Sequence, residues 1–406
     1  MMIKRIFKWI LRSGNFGNSP NVCAPQLRFI LTFMSLNLLT INAKAQLPKG
    51  FSIEPSLHFG HIVKHTPKLL FQSPPLSIGN EIHLNWQTYG QKVWHEWHGY
   101  PSFGLSFLHY DLGDKKLFGD AFAFYPSLDI RVFKKIKSFE SYVQFGWGLA
   151  YLTRHYDQFT NPINNAVGSA LNNVTDFKVR FEKRLSPHWS AQMGFSFTHF
   201  SNGTARLPNY GFNILALNLG AKWTPSPINT DGTSRYGREG YIHRDSSSKS
   251  NKKWGLNVFS GLGLSASSAP RGPQYPIYTA AFSVVRPLNK VNLLSLGLQY
   301  EQNRVVAEFG LATGEFSTKQ EASKGGSRWG IFVGDEFLFG QIAVVLQSGF
   351  YLHHYPAIQS IWFNRIGVRL YSPTIGRSKT QGHFGIYLKS HKVDAEQFCL
   401  LGGMSF

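Results

Sequence analysis

From Phe51 onward the chain alternates. In FSIEPSLHF the odd positions Phe51, Ile53, Pro55, Leu57 and Phe59 are apolar, while Ser52, Glu54, Ser56 and His58 between them are polar. That is the period of two of a strand with one oily face. The pattern returns in EIHLNWQ, FAFYPSLDIRVF, YVQFGWGLAYL, DFKVRFEKRL, QMGFSFTHFS and FNILALNLGAKW. A polar stretch from about Thr224 to Lys253 interrupts it. It then resumes in GLNVFSGLGLS, YTAAFSVV, NLLSLGLQYE, RWGIFVGDEFLF, AVVLQSGFYL, FNRIGVRLY, HFGIYLKS and EQFCLLGGMSF. Runs of about ten residues with this alternation, set apart by turn signals, describe a transmembrane β-barrel. The expected fold is all-β, an antiparallel transmembrane β-barrel of about 16 strands within a range of roughly 12–16, with RVVAEFGLA near Arg304 leaving the count open. One closed barrel over 46–406 is expected, with a polar insertion around 224–253, because an eight-stranded piece ending near Trp223 would need its own closure. Short turns belong on the periplasmic side, so a loop this long after an even-numbered strand implies a genuine insertion or a miscounted strand.

The two ends of the chain agree with export. A basic leader precedes the apolar run LRFILTFMSLNLLTI, and Ala43 and Ala45 supply small residues before Gln46. This predicts a signal peptide over residues 1–45, since an apolar run of about 15 is short for a spanning helix. At the other end Phe398, Leu400, Met404 and Phe406 share one face of the final strand, resembling the sorting signal of bacterial outer-membrane proteins. A soluble β-sandwich also alternates, but it accounts for neither end.

Composition sharpens the reading. Aromatics reach 15% and glycine 39 residues, against 16% charged residues, a balance suited to strands facing a bilayer. Mean hydropathy is slightly negative, which excludes a bundle of membrane helices. With the leader removed Cys399 stands alone, so no disulfide framework or thiolate metal cluster is expected. The formal charge of +20 falls to +14 without residues 1–45, which carry six basic and no acidic side chains. In an exported barrel the matching polyanion is phosphorylated lipid, and no nucleic-acid motif accompanies the charge.

The stretch HFSNGTARLPNYGFN, residues 199–213, carries the candidate chemistry. Phe195, Phe197, His199 and Ser201 point to one side of their strand, the lipid-facing one. On the next strand Asn213, Leu215, Leu217 and Leu219 share a face. A hairpin loop centred near residue 206 sets Asn213 opposite His199, with Cβ atoms about 4.5–5.5 Å apart. His199, Ser201 and Asn213 then meet on one outer surface. A serine hydroxyl, an imidazole to take its proton and a third group to fix the imidazole's tautomer are what a nucleophilic hydrolase needs. The bland alternative is an amphipathic rim histidine beside an ordinary serine.

HFSNG followed by PNYGFN resembles the His-x-Ser-Asn motif and following segment of the outer-membrane lipid A 3-O-deacylase family, also described as acyloxyacyl hydrolases. NPINNAVGSALN at 161–172 and LKSHKVDAEQFCLLGGMSF at the C-terminus extend the resemblance over much of the mature chain. The resemblance implies Ser201 as nucleophile, His199 as general base, and Asn202 and Asn209 as donors to the oxyanion. It also implies lipid A of the outer leaflet as substrate and no cofactor or metal. Two positions depart from the family. Tyr210 replaces a proline, and Asn213 stands where better-known members carry a carboxylate. An asparagine holds the histidine's tautomer through its carbonyl without stabilising the imidazolium by charge.

The same Asn213 is similar to the third member of the outer-membrane phospholipase A site. That family needs calcium held by the following loop, and TARLPNY has no carboxylate. Phospholipase A therefore ranks second, and a non-catalytic pore or scaffold barrel is the alternative from another class. Interior Asp129, Arg131, Lys178, Arg180 and Glu182 would line a channel or pair into a plug. Arg206 in the loop is a candidate contact for lipid A phosphates, or a solvated charge. KHTP after the first strand and VWHEWHGYP at 93–101 are rich in histidine, and interfacial His and Trp residues explain them better than zinc.

Overall fold

Alternation becomes pairing in the computed structural model, which describes residues 47–132, 139–228, 253–267, 270, 272–355, 360–373, 380–392 and 394–406. The leader over 1–45 and most of the polar segment 224–253 lie outside these residues. The first strands are β1 (Phe51–Ile62), β2 (Ser77–Gln87), β3 (Ser102–Asp111), β4 (Asp120–Arg131), β5 (Phe139–Leu152), β6 (Leu171–Arg184), β7 (Trp189–Ser201) and β8 (Phe212–Trp223). The second set is β9 (Gly255–Ala266), β10 (Gln274–Pro287), β11 (Asn292–Asn303), β12 (Ser327–Phe339), β13 (Ile342–His353), β14 (Trp362–Tyr371), β15 (Gln381–His391) and β16 (Asp394–Ser405). Every pairing is antiparallel between neighbours, and the sheet closes twice: β1 to β8, and β9 to β16.

The fold is therefore two eight-stranded barrels, and the expectation of a single sixteen-stranded barrel is corrected. β1 and β8 share a full seam running from Ile53 opposite Trp223 to Ile62 opposite Ile214. β3, SFGLSFLHYD, is hidden from the alternation of the sequence. Leu108 and Tyr110 are buried inside while Phe107 is exposed outside, so apolar side chains fall on both faces and the alternation blurs. With β3 counted, eight strands precede the break. An even number returns the chain to the end where it began, so β8 can close on β1 and the polar segment joins two barrels. RVVAEFGLA is a helix, α2 (Arg304–Ala312), which follows α1 (Val93–Trp97) and precedes α3 (Lys319–Gly325). The Asn303 side chain accepts from the Val305 and Val306 amides, and Val306 and Gly310, four apart, turn inward.

Among the described residues, oppositely charged side chains pair across both barrel interiors. In the first, Lys178 binds Glu81 at 2.5 Å and Asp176 at 3.2 Å, and Arg180 binds Asp129 at 2.6 Å and Glu54 at 3.0 Å. Arg131 lies 3.6 Å from Glu140, and Glu182 3.3 Å from Lys222. In the second barrel Glu301 is held by Arg328, Arg365 and Lys389, and Glu336 by Arg369. The candidate channel residues pair into a plug, as eight-stranded barrels leave only room for side chains.

The end of the first barrel that carries the β7–β8 loop is sealed. Phe71 from the β1–β2 loop, Phe118 from the β3–β4 loop and Phe212 pack with ring centroids 4.8–5.8 Å apart, over buried Ala166 and Val167 from the β5–β6 loop. Outside, Phe195, Phe197, Leu215, Leu217 and Leu219 are exposed, the oily belt of a bilayer-facing wall.

The barrels touch at both ends. Beside the β7–β8 loop, Thr204 Oγ1 donates to the Ala395 carbonyl at 2.5 Å and the Ala266 amide donates to the Thr204 carbonyl at 2.8 Å. At the other end His98 Nε2 donates to the Leu338 carbonyl at 2.7 Å, and its ring stacks on Phe339 at 4.1 Å.

Candidate active site

β7 and β8 bring the three expected residues to the sealed end. His199 pairs directly with Asn213 across the hairpin. His199 Nδ1 donates to Asn213 Oδ1 at 2.6 Å. That bond places the proton on Nδ1 and leaves the Nε2 lone pair for a hydroxyl. Ser201 lies two residues further on the same face, opposite Asn173 on β6. Among the hydrogen bonds of the described residues, none joins Ser201 to His199.

Position along the wall decides exposure. Phe195 and Phe197 are 60% and 37% exposed, whereas Ser201, next but one on that face, is 6% exposed. The difference is the loop folding over the strand end. Gly211 makes this possible: its φ is +82°, and a Cβ there would stand 2.6 Å from His199 Cε1. Its amide donates to the Ala166 carbonyl at 2.7 Å, tying the β7–β8 loop to the NPINNAVGSALN segment.

Asn202 is the pin of the loop. Its backbone amide donates to Asn209 Oδ1 at 2.8 Å. Its side-chain amide donates to Ser169 Oγ at 3.0 Å and to the Arg206 carbonyl at 2.8 Å, while its Oδ1 accepts from the Arg206 amide at 3.2 Å. Asn202 follows Ser201 in the chain, and its N–H groups are engaged with Asn209, Ser169 and Arg206, so an oxyanion would have to replace one of those partners, whereas Asn209 is tied to Asn202 through its accepting Oδ1. The Arg206 residue is exposed. Gly203 and Thr204 follow with φ of +59° and +68°, turning the chain toward the second barrel.

One group was missed by the sequence reading. Asn213 Nδ2 donates to His65 Nδ1 at 2.9 Å. His65 belongs to the KHTP stretch just past β1, and the neighbouring Val63 amide donates to the Asn213 carbonyl at 2.7 Å. The signal was a histidine immediately after a strand, yet only closure of β1 on β8 places it beside the site. The second histidine-rich stretch serves packing: His98 joins the barrels, and Trp94 stands against His95 at 4.2 Å.

Residues 80–222 match the family model of lipid A 3-O-deacylase (PagL), and residues 252–398 match the model of the acyloxyacyl hydrolase C-terminal domain. The chain belongs to the lipid A 3-O-deacylase family. The deacylase match falls on the first barrel, across the stretch that holds His199, Ser201 and Asn213, and the C-terminal match falls on the second. As a member of the lipid A 3-O-deacylase family the protein is an outer-membrane hydrolase of lipid A. Among solved structures, the outer membrane enzyme PagL is 15% identical over 43% of this chain and 99% of its own, with a TM-score of 0.28. Neisserial surface protein A is 9% identical over 43% and 97%, with a TM-score of 0.31. A BenF-like porin from Pseudomonas fluorescens Pf-5 is 10% identical over 88% and 97%, with a TM-score of 0.21. No curated protein matches the chain.

Proposed function

We propose that the protein removes an ester-linked 3-hydroxyacyl chain from lipid A by a Ser-His-Asn mechanism. The observation that carries this reading is the 2.6 Å bond from His199 Nδ1 to Asn213 Oδ1. It fixes the tautomer in which Nε2 can accept a proton. Ser201 Oγ attacks the ester carbonyl as its proton passes to His199 Nε2, giving a tetrahedral oxyanion. Asn202, next to Ser201 in the chain, and Asn209, which accepts from the Asn202 amide, are the donors proposed for that oxygen, Asn202 by exchanging a loop partner for it and Asn209 through its Nδ2. Collapse breaks the ester C–O bond, and Nε2–H protonates the departing sugar oxygen, which leaves as a hydroxyl. Water then attacks the acyl-enzyme by the same route in reverse order and frees the fatty acid. Arg206, exposed on the loop, is proposed to meet a lipid A phosphate.

Asn213 favours a second reading, in which the acyl chain comes from a phospholipid. The two readings separate in one experiment. The purified protein in detergent is incubated with lipid A and, in parallel, with phospholipid with and without calcium, and released acids are identified by mass spectrometry. The expected result is a 3-hydroxy acid from lipid A, independent of calcium and lost in Ser201→Ala. Calcium-dependent release from phospholipid would move the assignment to the second reading. No release from either would sink both.

A further inference from the structure

Asparagine in place of a carboxylate creates a problem that a carboxylate does not have. Both oxygens of a carboxylate accept, so either may face the imidazole. An amide has two unlike ends, and only Oδ1 can accept from His199 Nδ1–H. Turned over, Asn213 would present Nδ2–H to His199. The ring would then have to accept at Nδ1 and carry its proton on Nε2, where it could not serve as base. The requirement is strictest when His199 has taken the serine proton, because both ring nitrogens are then donors and only an acceptor can face Nδ1.

The structure supplies a partner for the other end of the amide. Asn213 Nδ2 donates to His65 Nδ1 at 2.9 Å, while Oδ1 accepts from His199 at 2.6 Å. Two imidazoles thus flank one amide, and the second offers a lone pair. Resting on the proposed Ser-His-Asn reading, we infer that His65 is a positioning residue for catalysis: it accepts from Asn213 and holds the amide with Oδ1 toward His199. Among the hydrogen bonds of the described residues, none joins His65 to Ser201 or His199; its bond is to Asn213. As Nδ1–H of the imidazolium pulls on Oδ1, the opposite N–H becomes a better donor, and the bond to His65 strengthens with the charge it serves. Closure of β1 on β8 is what brings His65 to this place: His61 pairs with Leu215, and the Val63 amide bonds Asn213.

The test is a cycle on the full-length protein, read as kcat and KM for lipid A deacylation. His65→Ala is expected to lower kcat about tenfold, the worth of one hydrogen bond present in the transition state, with KM unchanged within about twofold. His65→Gln, whose Oε1 can accept from Asn213, is expected to restore most of that loss. In the Asn213→Asp background, where no orientation has to be held, His65→Ala is expected to change kcat less than about twofold. Equal losses in both backgrounds would overturn the inference. So would a rise in KM at constant kcat, which would make His65 a substrate contact. Should Asn213→Asp itself be inactive, failure of His65→Gln to recover kcat overturns it. The two readings fail differently: an active Ser201→Ala sinks the mechanism, whereas an inactive Ser201→Ala beside an unaffected His65→Ala sinks only the role of His65. Thermal unfolding of each variant separates loss of kcat from loss of fold.

Discussion

At the residue scale the active end depends on what a side chain is denied as much as on what it does. Gly211 has φ of +82° and sits against the His199 ring. Gly211→Ala must both accept a left-handed backbone and push the imidazole aside, a cost of about 1 kcal/mol for the backbone alone. It is expected to lower kcat by at least about tenfold, with the barrel still folded by circular dichroism. Loss of activity no greater than twofold would mean that the ring has room to move. The shared face of the proposed triad was legible because alternation assigns faces: His199, Ser201 and Asn213 stand out on a wall where Phe195, Phe197 and Leu215 are oily. His65 was not legible, for a reason of topology. In a single sixteen-stranded barrel β1 would lie beside β16, far from Asn213. Only the β1–β8 seam makes His65 a neighbour.

At the element scale the strands carry a second code on their inner faces. Glu81 on β2 is buried, with Lys178 at 2.5 Å, Tyr125 at 2.8 Å and His58 at 3.0 Å around it. Lys178→Met would leave the carboxylate without its cation in the barrel interior. Such a change is expected to cost about 3–5 kcal/mol, measured by urea unfolding in detergent. Adding Glu81→Gln should recover much of it, and an additive double variant would show that the pair is not coupled. These inward polar positions were legible as one face of alternation. Which cation meets which anion was not, because the partners come from strands far apart in sequence. The helix α2 was missed for the opposite reason: Val305, Val306 and Phe309 are apolar enough to pass for a strand, and the Asn303 cap that starts the helix is a local signal the alternation overrode.

At the scale of the whole molecule the two barrels meet beside the site. Gly203 has φ of +59°, and a Cβ there would run into the Phe398 ring on β16, while Thr204 bonds Ala395. The loop following Ser201 is therefore braced by the second barrel. Phe398→Ala is expected to lower the deacylation rate several-fold while leaving the unfolding free energy within about 1 kcal/mol of the parent, as for a partly exposed contact. An unchanged rate would show that the first barrel holds the loop alone. Both interiors are filled by paired charges, so planar bilayers containing the protein are expected to show no stepwise conductance, and steady channel currents would contradict the plug.

His199 and Asn213 stand on the outer wall, beside the exposed Phe197 and Leu215, while ion pairs fill the interiors of both closed sheets. On the proposed function, a lipid reaches this site by moving sideways within its own leaflet. The quantity that sets the encounter rate is then a surface density, the mole fraction of lipid A around the barrel, rather than an amount per litre. Diluting lipid A with an inert lipid at fixed bulk concentration should slow turnover, whereas diluting the whole suspension with buffer should leave the rate per enzyme unchanged. In a cell, an enzyme built this way reports on the crowding of its substrate in the membrane plane.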